Sequence, residues 1–195
     1  LSACRALEAP LTVAYLAPWG TAAAARLLTA ALREGLRVHS SDKAFTQNGR
    51  KYPAGTLIVK VSENPPGIRE TLAKLTASSG AEIHSTDTGW VDDGVNFGSR
   101  YVVAMRKPAI ALAWDRPTSS GSAGWARFVL ERQFSYPVTP VRTQQLASAD
   151  LSRFQVVILS DTFYEFAMPL MRQLGYPALF CHRLEADADG MLVNY

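Results

Sequence analysis

Two short stretches of the sequence place polar side chains directly after apolar runs that are typical of buried strands. The run at residues 156 to 159 (VVIL) is followed by Ser160, Asp161 and Thr162. The run at residues 109 to 114 (AIALAW) is followed by a loop of polar and small residues: Asp115, Arg116, Ser119, Ser120 and Gly121. Hydroxyl groups, an arginine and the free N–H groups of a helix N-terminus bind anions such as phosphate. The sequence therefore predicts an anion site at one loop or at both.

The two loops would meet if their strands belonged to the same parallel sheet. Open α/β sheets bind ligands at the carboxyl ends of their strands, in the crevice where the strand order reverses. The loop after residue 114 is the better pocket candidate, and a flexible connector is the alternative interpretation. An anion bound in this crevice would not imply turnover.

Metal and thiol chemistry has little support in the sequence. Cys4 and Cys181 lie near opposite ends of the chain, without the CxxC or Cys/His spacing of a zinc site. Residues 182 to 185 spell HxxE, but no third ligand follows in a suitable context. Cys181 and His182 are neighbours on a predicted strand, so their side chains would point to opposite faces. We therefore predict no catalytic residue, no metal site and no cofactor.

The composition of the chain indicates which classes of partner it is not expected to bind. Twenty basic and 17 acidic residues give a net charge of +3, and the basic residues are scattered along the chain. Nucleic acid is not expected to bind, because its binding sites cluster basic residues on one face. No apolar run approaches the roughly 20 residues that span a bilayer, so no membrane partner is expected. The sequence begins at Leu1 without a signal-peptide layout, which predicts a piece of a longer chain and leaves the compartment open.

The first half of the chain alternates predicted strands and helices. A strand at residues 11 to 17, a helix at 21 to 35 and a strand at 36 to 40 predict a β-α-β unit with parallel strands. Asn48 and Gly49 lie between two short alternating runs. They predict a type I′ hairpin, because both central residues of that turn need positive φ.

A further helix, strand and loop complete this half. The helix is predicted at residues 65 to 80, the strand at 81 to 87, and a glycine-rich surface loop at 89 to 99. Asp92 and Asp93 in this loop could do acid/base work if their environments differed. We interpret them as turn-forming residues.

The second half repeats the alternation, and the pattern predicts an α/β fold. Its apolar strand 156 to 159 is typical of a parallel sheet covered on both faces. The predicted domains are residues 1 to 107 and residues 108 to 195. The predicted elements are strands at 101 to 107, 109 to 114, 138 to 143 and 154 to 160, a loop at 117 to 124 and a helix at 125 to 134.

Residues 11 to 159 contain the phrases AFTQNGR, PAGTLIVKV and GWARFVLERQF. Through these phrases this part of the chain resembles the C-terminal accessory region of bacterial M14-type zinc carboxypeptidase-like proteins. It implies a three-layer, mostly parallel sheet of the flavodoxin-like or class I amidotransferase-like type, after an N-terminal β-α-β and hairpin unit. The zinc peptidase domain of that family needs HxxE, whereas His39 and His84 are each followed by serine. Peptidase activity is therefore not implied.

Residues 153 to 195 contain the phrases ILSDTFYEF, PLMRQLG and CHRLE. Through these phrases the segment resembles a different family, the phosphoserine phosphatase/homoserine phosphotransferase group of the haloacid dehalogenase superfamily. It implies that Ser160 binds the substrate phosphate together with backbone amides of the following helix. The family also requires a nucleophilic aspartate in a DxD-like motif at its first strand, a lysine and a later magnesium-binding acidic pair. The first predicted strand here, residues 11 to 17, offers no aspartate.

Together the two resemblances indicate a chimera. The leading hypothesis is a non-catalytic accessory or scaffold domain of the carboxypeptidase-like type, with a dehalogenase-like last segment. One alternative is a phosphatase fragment with a phosphate-binding turn at Ser160 and Asp161. Another is a protein-binding or self-associating module that uses an exposed sheet edge at residues 192 to 195, if that strand is unpaired.

Overall fold

A computed structural model describes residues 11 to 116, 118 to 159, 168, 172, 185, 186 and 191 to 194. They divide into two compact units. The first runs up to Lys107 and includes Gln133–Tyr136; the second comprises Pro108–Arg132 and the chain from Pro137 onward. The sequence did not predict that residues 133 to 136 belong with the first unit. The Thr29 hydroxyl donates a hydrogen bond to the Phe134 carbonyl oxygen at 2.9 Å, which ties this segment to the first helix. Within the described residues, no helix has the length and apolar character to cross a bilayer.

The elements follow in chain order. The strands are β1 (Ala14–Ala17), β2 (His39–Ser41), β3 (Phe45–Gln47), β4 (Arg50–Tyr52), β5 (Leu57–Lys60), β6 (His84–Thr86), β7 (Val102–Ala104), β8 (Ile110–Trp114), β9 (Thr139–Arg142), β10 (Val156–Leu159), β11 (Glu185–Ala186) and β12 (Leu192–Asn194). The α-helices are α1 (Ala22–Arg33), α2 (Ile68–Ser79) and α3 (Ser120–Phe128). Shorter helical turns lie at Val61–Glu63, Val129–Gln133 and Thr143–Gln145.

The sheet of the first unit has the order β6-β1-β5-β2-β7, and all neighbouring strands are antiparallel. The predicted direct parallel pairing of β1 with β2 is wrong. The two strands run in the same direction across α1, but β5 lies between them and pairs antiparallel with both. Such an insertion depends on a contact with a later part of the chain, which local periodicity does not reveal.

The two faces of this sheet have different coverings, because side chains alternate along each strand. On one face Leu57 and Val59 pack with α1 and α2 in a single apolar cluster. On the other face Leu16 and Ile58 pack against aromatic residues of the β3-β4 hairpin and of the loop at residues 89 to 99. The glycine-rich loop is therefore part of the core packing of this unit.

Local signals at the turns are confirmed. Asn48 and Gly49 have φ of 52° and 70°, as a type I′ turn requires. The Thr21 hydroxyl accepts a hydrogen bond from the Ala24 N–H at 3.1 Å and caps α1. Gly80, with φ of 71°, ends α2.

The second unit contains the predicted α/β arrangement with a parallel sheet. β8 lies between β10 and β9 and is parallel to both. Leu112 of β8 packs with Ala123 of α3 and Val138. Helix α3 begins at Ser120, inside the segment predicted as a loop, because the Ser119 hydroxyl accepts a hydrogen bond from the Ser122 N–H and caps the helix early.

The last two strands pair with each other. β12 pairs antiparallel with β11 in a two-stranded sheet of the described residues. This pairing occupies one side of the strand at residues 192 to 194, and association through its other edge stays a prediction.

Candidate functional site

The strand order of the second unit reverses at β8, the central strand of its three described strands. The chain passes from β8 through α3 to β9 on one side, and β10 then pairs on the other side of β8. Crossings to opposite sides of a central strand define the switch point at which open α/β sheets bind ligands. Leu159 is level with Ala113, so β8 and β10 end together.

Three side chains meet at the end of β8. The Arg142 guanidinium lies 4.8 Å from the centre of the Trp114 ring. One of its nitrogens, Nη1, lies 3.3 Å from Oδ2 of Asp115. Stacking on an aromatic ring restricts an arginine without consuming its donors. Arg142 is thus a positioned and exposed cation at the carboxyl end of β8, on the side of β9.

The backbone of the loop after β8 is held by side-chain hydrogen bonds. The N–H and hydroxyl of Thr118 both donate to the Asp115 carbonyl oxygen, at 3.0 and 2.7 Å. The Thr143 hydroxyl and the Gln144 amide donate to the carbonyl oxygen of Arg116. Asp115 itself has φ of 81°, and its Oδ1 accepts the Arg116 N–H at 2.9 Å. These contacts argue against a flexible connector.

The first turn of α3 follows this loop, after the carboxyl end of β8. Ser119 caps the Ser122 N–H, and Ser120 and Gly121 are exposed at the helix start. The first N–H groups of a helix have no partner within it and carry positive potential. This turn therefore presents donors of the kind that an anion requires.

The structure brings together one of the two predicted groups of site residues. Asp115, Arg116, Ser119, Ser120 and Gly121 belong to one loop and helix start at the carboxyl end of β8. The other group, Ser160, Asp161 and Thr162, lies outside the described residues.

Sequence reasoning missed Arg142 and its support by Trp114. The available signal was a basic residue near the end of the predicted strand 138 to 143. That signal becomes useful only once β9 is known to pair with β8.

Asp92 and His39 of the first unit have structural partners. Oδ2 of Asp92 accepts the Gly49 N–H at 2.8 Å, which supports its interpretation as a turn residue. Nε2 of His39 lies 3.5 Å from Oε2 of Glu63. Burial lowers the pKa of His39, and the nearby Lys60 charge lowers it further. The described residues contain no group of three histidine, cysteine or acidic side chains arranged for a metal ion.

Comparisons with known proteins show sequence similarity over a short stretch of the chain. A stretch of 43 residues is 70% identical to the phosphoserine phosphatase ThrH of Pseudomonas aeruginosa, covering 22% of this chain and 21% of that protein. The same identity over 43 residues is found with a phosphoserine phosphatase of Pseudomonas syringae pv. tomato, covering 18% of it. A segment of this chain is similar to phosphoserine phosphatases. The chain spans only about a fifth of the length of these curated relatives.

Two further comparisons add little. No family model matches the chain. A formyltetrahydrofolate deformylase structure from Pseudomonas putida aligns over 84% of this chain and 56% of its own, with 11% identity and a TM-score of 0.22, too low to support an argument. The similar stretch has 43 residues, the same length as the segment from residue 153 to residue 195, and it supports the phosphatase resemblance. The carboxypeptidase-like resemblance stays a prediction.

Proposed function

We propose that the second unit binds a phosphate group in the crevice between the carboxyl ends of β8 and β10. The observation that carries the proposal is the parallel pairing of these strands, with Leu159 level with Ala113. Leu159, the last residue of β10, therefore lies near the start of the loop after β8, and Ser160 follows it in the sequence. The similarity of a 43-residue stretch to phosphoserine phosphatases supports phosphate as the anion.

Arg142 supplies the charge for this site. Its guanidinium is held by the Trp114 ring and by one oxygen of Asp115. A phosphate oxygen would compete with Asp115 for the same donors, since arginine binds phosphate and carboxylate in similar geometry. The serine hydroxyls and the N–H groups at the start of α3 would complete the set.

The Arg142→Gln variant is expected to bind phosphate up to about tenfold more weakly, because a charge-assisted hydrogen bond is lost. The Asp115→Asn variant is expected to bind it several-fold more tightly, because the competing carboxylate charge is removed. Isothermal titration with inorganic phosphate and with O-phosphoserine, at low salt, measures both changes.

Arg127→Gln is the matched control. Arg127 lies on α3 and its guanidinium pairs with Glu131 at 3.0 Å, away from the loop after β8. Its loss should leave phosphate binding unchanged. Equal affinities of the Arg142 and Arg127 variants would contradict the site, as would unchanged binding in Ser160→Ala.

A second candidate function, phosphate ester hydrolysis, has one specific observation in its favour. The resemblance implies a nucleophilic aspartate, and the first predicted strand, residues 11 to 17, contains none. The parallel neighbour of β10 is instead β8, and Asp115 follows β8 directly. Asp115 thus has the residue type and the strand position of that nucleophile, whereas residue 117, where a DxD-like motif has its second aspartate, is proline. The second unit would then retain only part of a phosphatase site.

If Asp115 is a nucleophile, any magnesium-dependent hydrolysis of p-nitrophenyl phosphate should disappear in Asp115→Asn, although that variant binds phosphate more tightly. Opposite changes in turnover and binding separate a reacting group from a positioning one. Absence of turnover in the unmodified chain would exclude hydrolysis and leave phosphate binding in place.

The scaffold function that the carboxypeptidase-like resemblance implies is not supported by the comparisons and stays a prediction. Association through the strand at residues 192 to 194 also stays a prediction, since that strand is paired with β11 on one side.

A further inference from the structure

The first unit carries an open groove of about 720 Å³ beside the loop at residues 89 to 99. The residues outside this loop that line the groove are Val13, Lys60, Ser62 and Tyr101. All the lining residues belong to the first unit, whereas the proposed phosphate site belongs to the second. A ligand of this groove would therefore be a second ligand of the chain.

The loop that forms the groove is anchored to the hairpin at several points. The Thr46 N–H donates to the Asp93 carbonyl oxygen at 2.8 Å. Phe97 is buried, and its ring meets that of Phe45 edge-on at 5.8 Å. A Cβ on Gly94 would lie 2.9 Å from backbone atoms of the hairpin, so the two chains are in close contact there. A loop held in this way would lose little conformational entropy on binding.

Trp90 presents a free aromatic ring on this anchored loop. The residue lines the groove and is 76% exposed, and its backbone N–H donates to the Thr88 hydroxyl at 3.1 Å. Within the described part of the chain, no other ring and no cation lies against the Trp90 ring. The ring of Tyr101, in contrast, already contacts Lys43 and Arg100, at 5.6 and 5.0 Å from its centre. Trp90 is therefore the stacking surface of the groove, and its electron-rich face attracts C–H groups.

The charge of the lining is balanced. Among the described residues that line the groove, Lys60 carries the charge, and its Nζ pairs with Oε1 of Glu63 at 3.0 Å. Asp92 and Asp93 belong to the loop but do not line the groove, and Oδ2 of Asp92 accepts the Gly49 N–H at 2.8 Å. An ion entering the groove would find no unpaired counter-charge to offset its desolvation. The lining therefore favours an uncharged ligand.

Three polar side chains of the lining have hydrogen-bonding capacity to spare. Oδ1 of Asn96 accepts the Val91 N–H at 2.9 Å, which fixes the orientation of the amide and leaves both donors of Nδ2 without a partner among the described residues. The hydroxyl of Ser99 accepts the Tyr101 N–H at 3.3 Å and retains its own hydrogen to donate. The Ser62 hydroxyl has no partner in the described part of the chain. These groups suit a ligand with several hydroxyl oxygens.

We propose that this groove binds a neutral oligosaccharide, a β-1,4-linked chain of hexopyranose units such as a glucan. The flat C–H face of one sugar ring stacks on Trp90, and its neighbours along the chain place hydroxyl groups against Asn96, Ser62 and Ser99. The open form of the groove suits an extended chain that passes across it. A proline-rich peptide would need a slot between free aromatic faces, and the described lining offers one such face, that of Trp90.

The aromatic contribution is tested by titrating the whole chain with cellotetraose and measuring heat. Trp90→Ala is expected to weaken binding about tenfold, through loss of the stacking surface. The control is Trp125→Ala, which removes a tryptophan that is 69% exposed in the second unit. It should leave the affinity unchanged, and the melting temperature of each variant confirms folding.

The polar contribution is tested with two further variants. Asn96→Asp keeps the oxygen that accepts the Val91 N–H but removes the Nδ2 donors, so cellotetraose should bind several-fold more weakly while the loop stays anchored. Lys60→Gln should leave cellotetraose affinity within about twofold of the unmodified chain, since an uncharged ligand makes no use of that charge.

The nature of the ligand is tested with two other probes, tetragalacturonate and a proline-rich decapeptide. Cellotetraose is expected to bind more tightly than either. No binding of cellotetraose at millimolar concentration would overturn the proposal, and so would equal affinities of the Trp90 and Trp125 variants. Tighter binding of tetragalacturonate, or binding of the peptide without the sugar, would also overturn it.

Discussion

The Gly94→Ala variant is expected to lose about 3 kcal/mol of unfolding free energy. Gly94 has φ of +98°, a conformation that an L side chain rarely adopts. An added Cβ would also lie 2.9 Å from the Ala44 carbonyl oxygen and from Cα of Phe45. Both contacts are with backbone, which cannot move aside as a flexible side chain can. Strain and overlap therefore act together, and the loop must separate from the hairpin.

Gly98→Ala is the matched control for this prediction. Gly98 lies in the same loop, and a Cβ there would meet no atom within 4 Å. Its free energy of unfolding should stay within about 0.5 kcal/mol of the unmodified chain. Urea unfolding followed by circular dichroism measures both variants. Equal midpoints would contradict the close contact between loop and hairpin.

The Leu112→Ala variant should destabilise the second unit by about 3 to 4 kcal/mol. Leu112 is 1% exposed at the middle of β8, the central strand, and packs against Ala123 and Val138. Truncation leaves a cavity between sheet and helix, which adds to the lost transfer free energy. Because α3 and the loop after β8 rest on this packing, apparent phosphate affinity should fall as well.

Val156→Ala tests whether this loss reflects core packing. Val156 lies on β10 in register with Ile110 but is 39% exposed, so its truncation should cost less than about 1 kcal/mol. Amide hydrogen exchange of β8 distinguishes the two variants, since only Leu112→Ala should increase it strongly. Similar exchange in both would show that the sheet is not stabilised at Leu112.

Much of the local structure follows from the sequence, because its causes lie within a few residues. The hairpin at Asn48 and Gly49 needs only two residues with positive φ, and the end of α2 needs only a glycine. Helix α3 was predicted to start too late, since serine and glycine suggested a loop. The Ser119 cap outweighed that composition.

The pairing of strands depends on distant parts of the chain. The insertion of β5 between β1 and β2 joins residues separated by a helix and a hairpin, and no local pattern specifies it. The candidate site shows the same division. The loop at Asp115 and Arg116 could be predicted because it follows an apolar run. The role of Arg142 could not, because it depends on the pairing of β9 with β8.

Pro140 in β9 has a consequence for aggregation. It lies opposite Leu112, on the outer strand of the three described strands of that sheet. Proline has no amide hydrogen and occurs in edge strands with its nitrogen toward solvent. A second molecule cannot complete a regular ladder along this strand, so the unit is protected there from fibril-like stacking and from strand exchange.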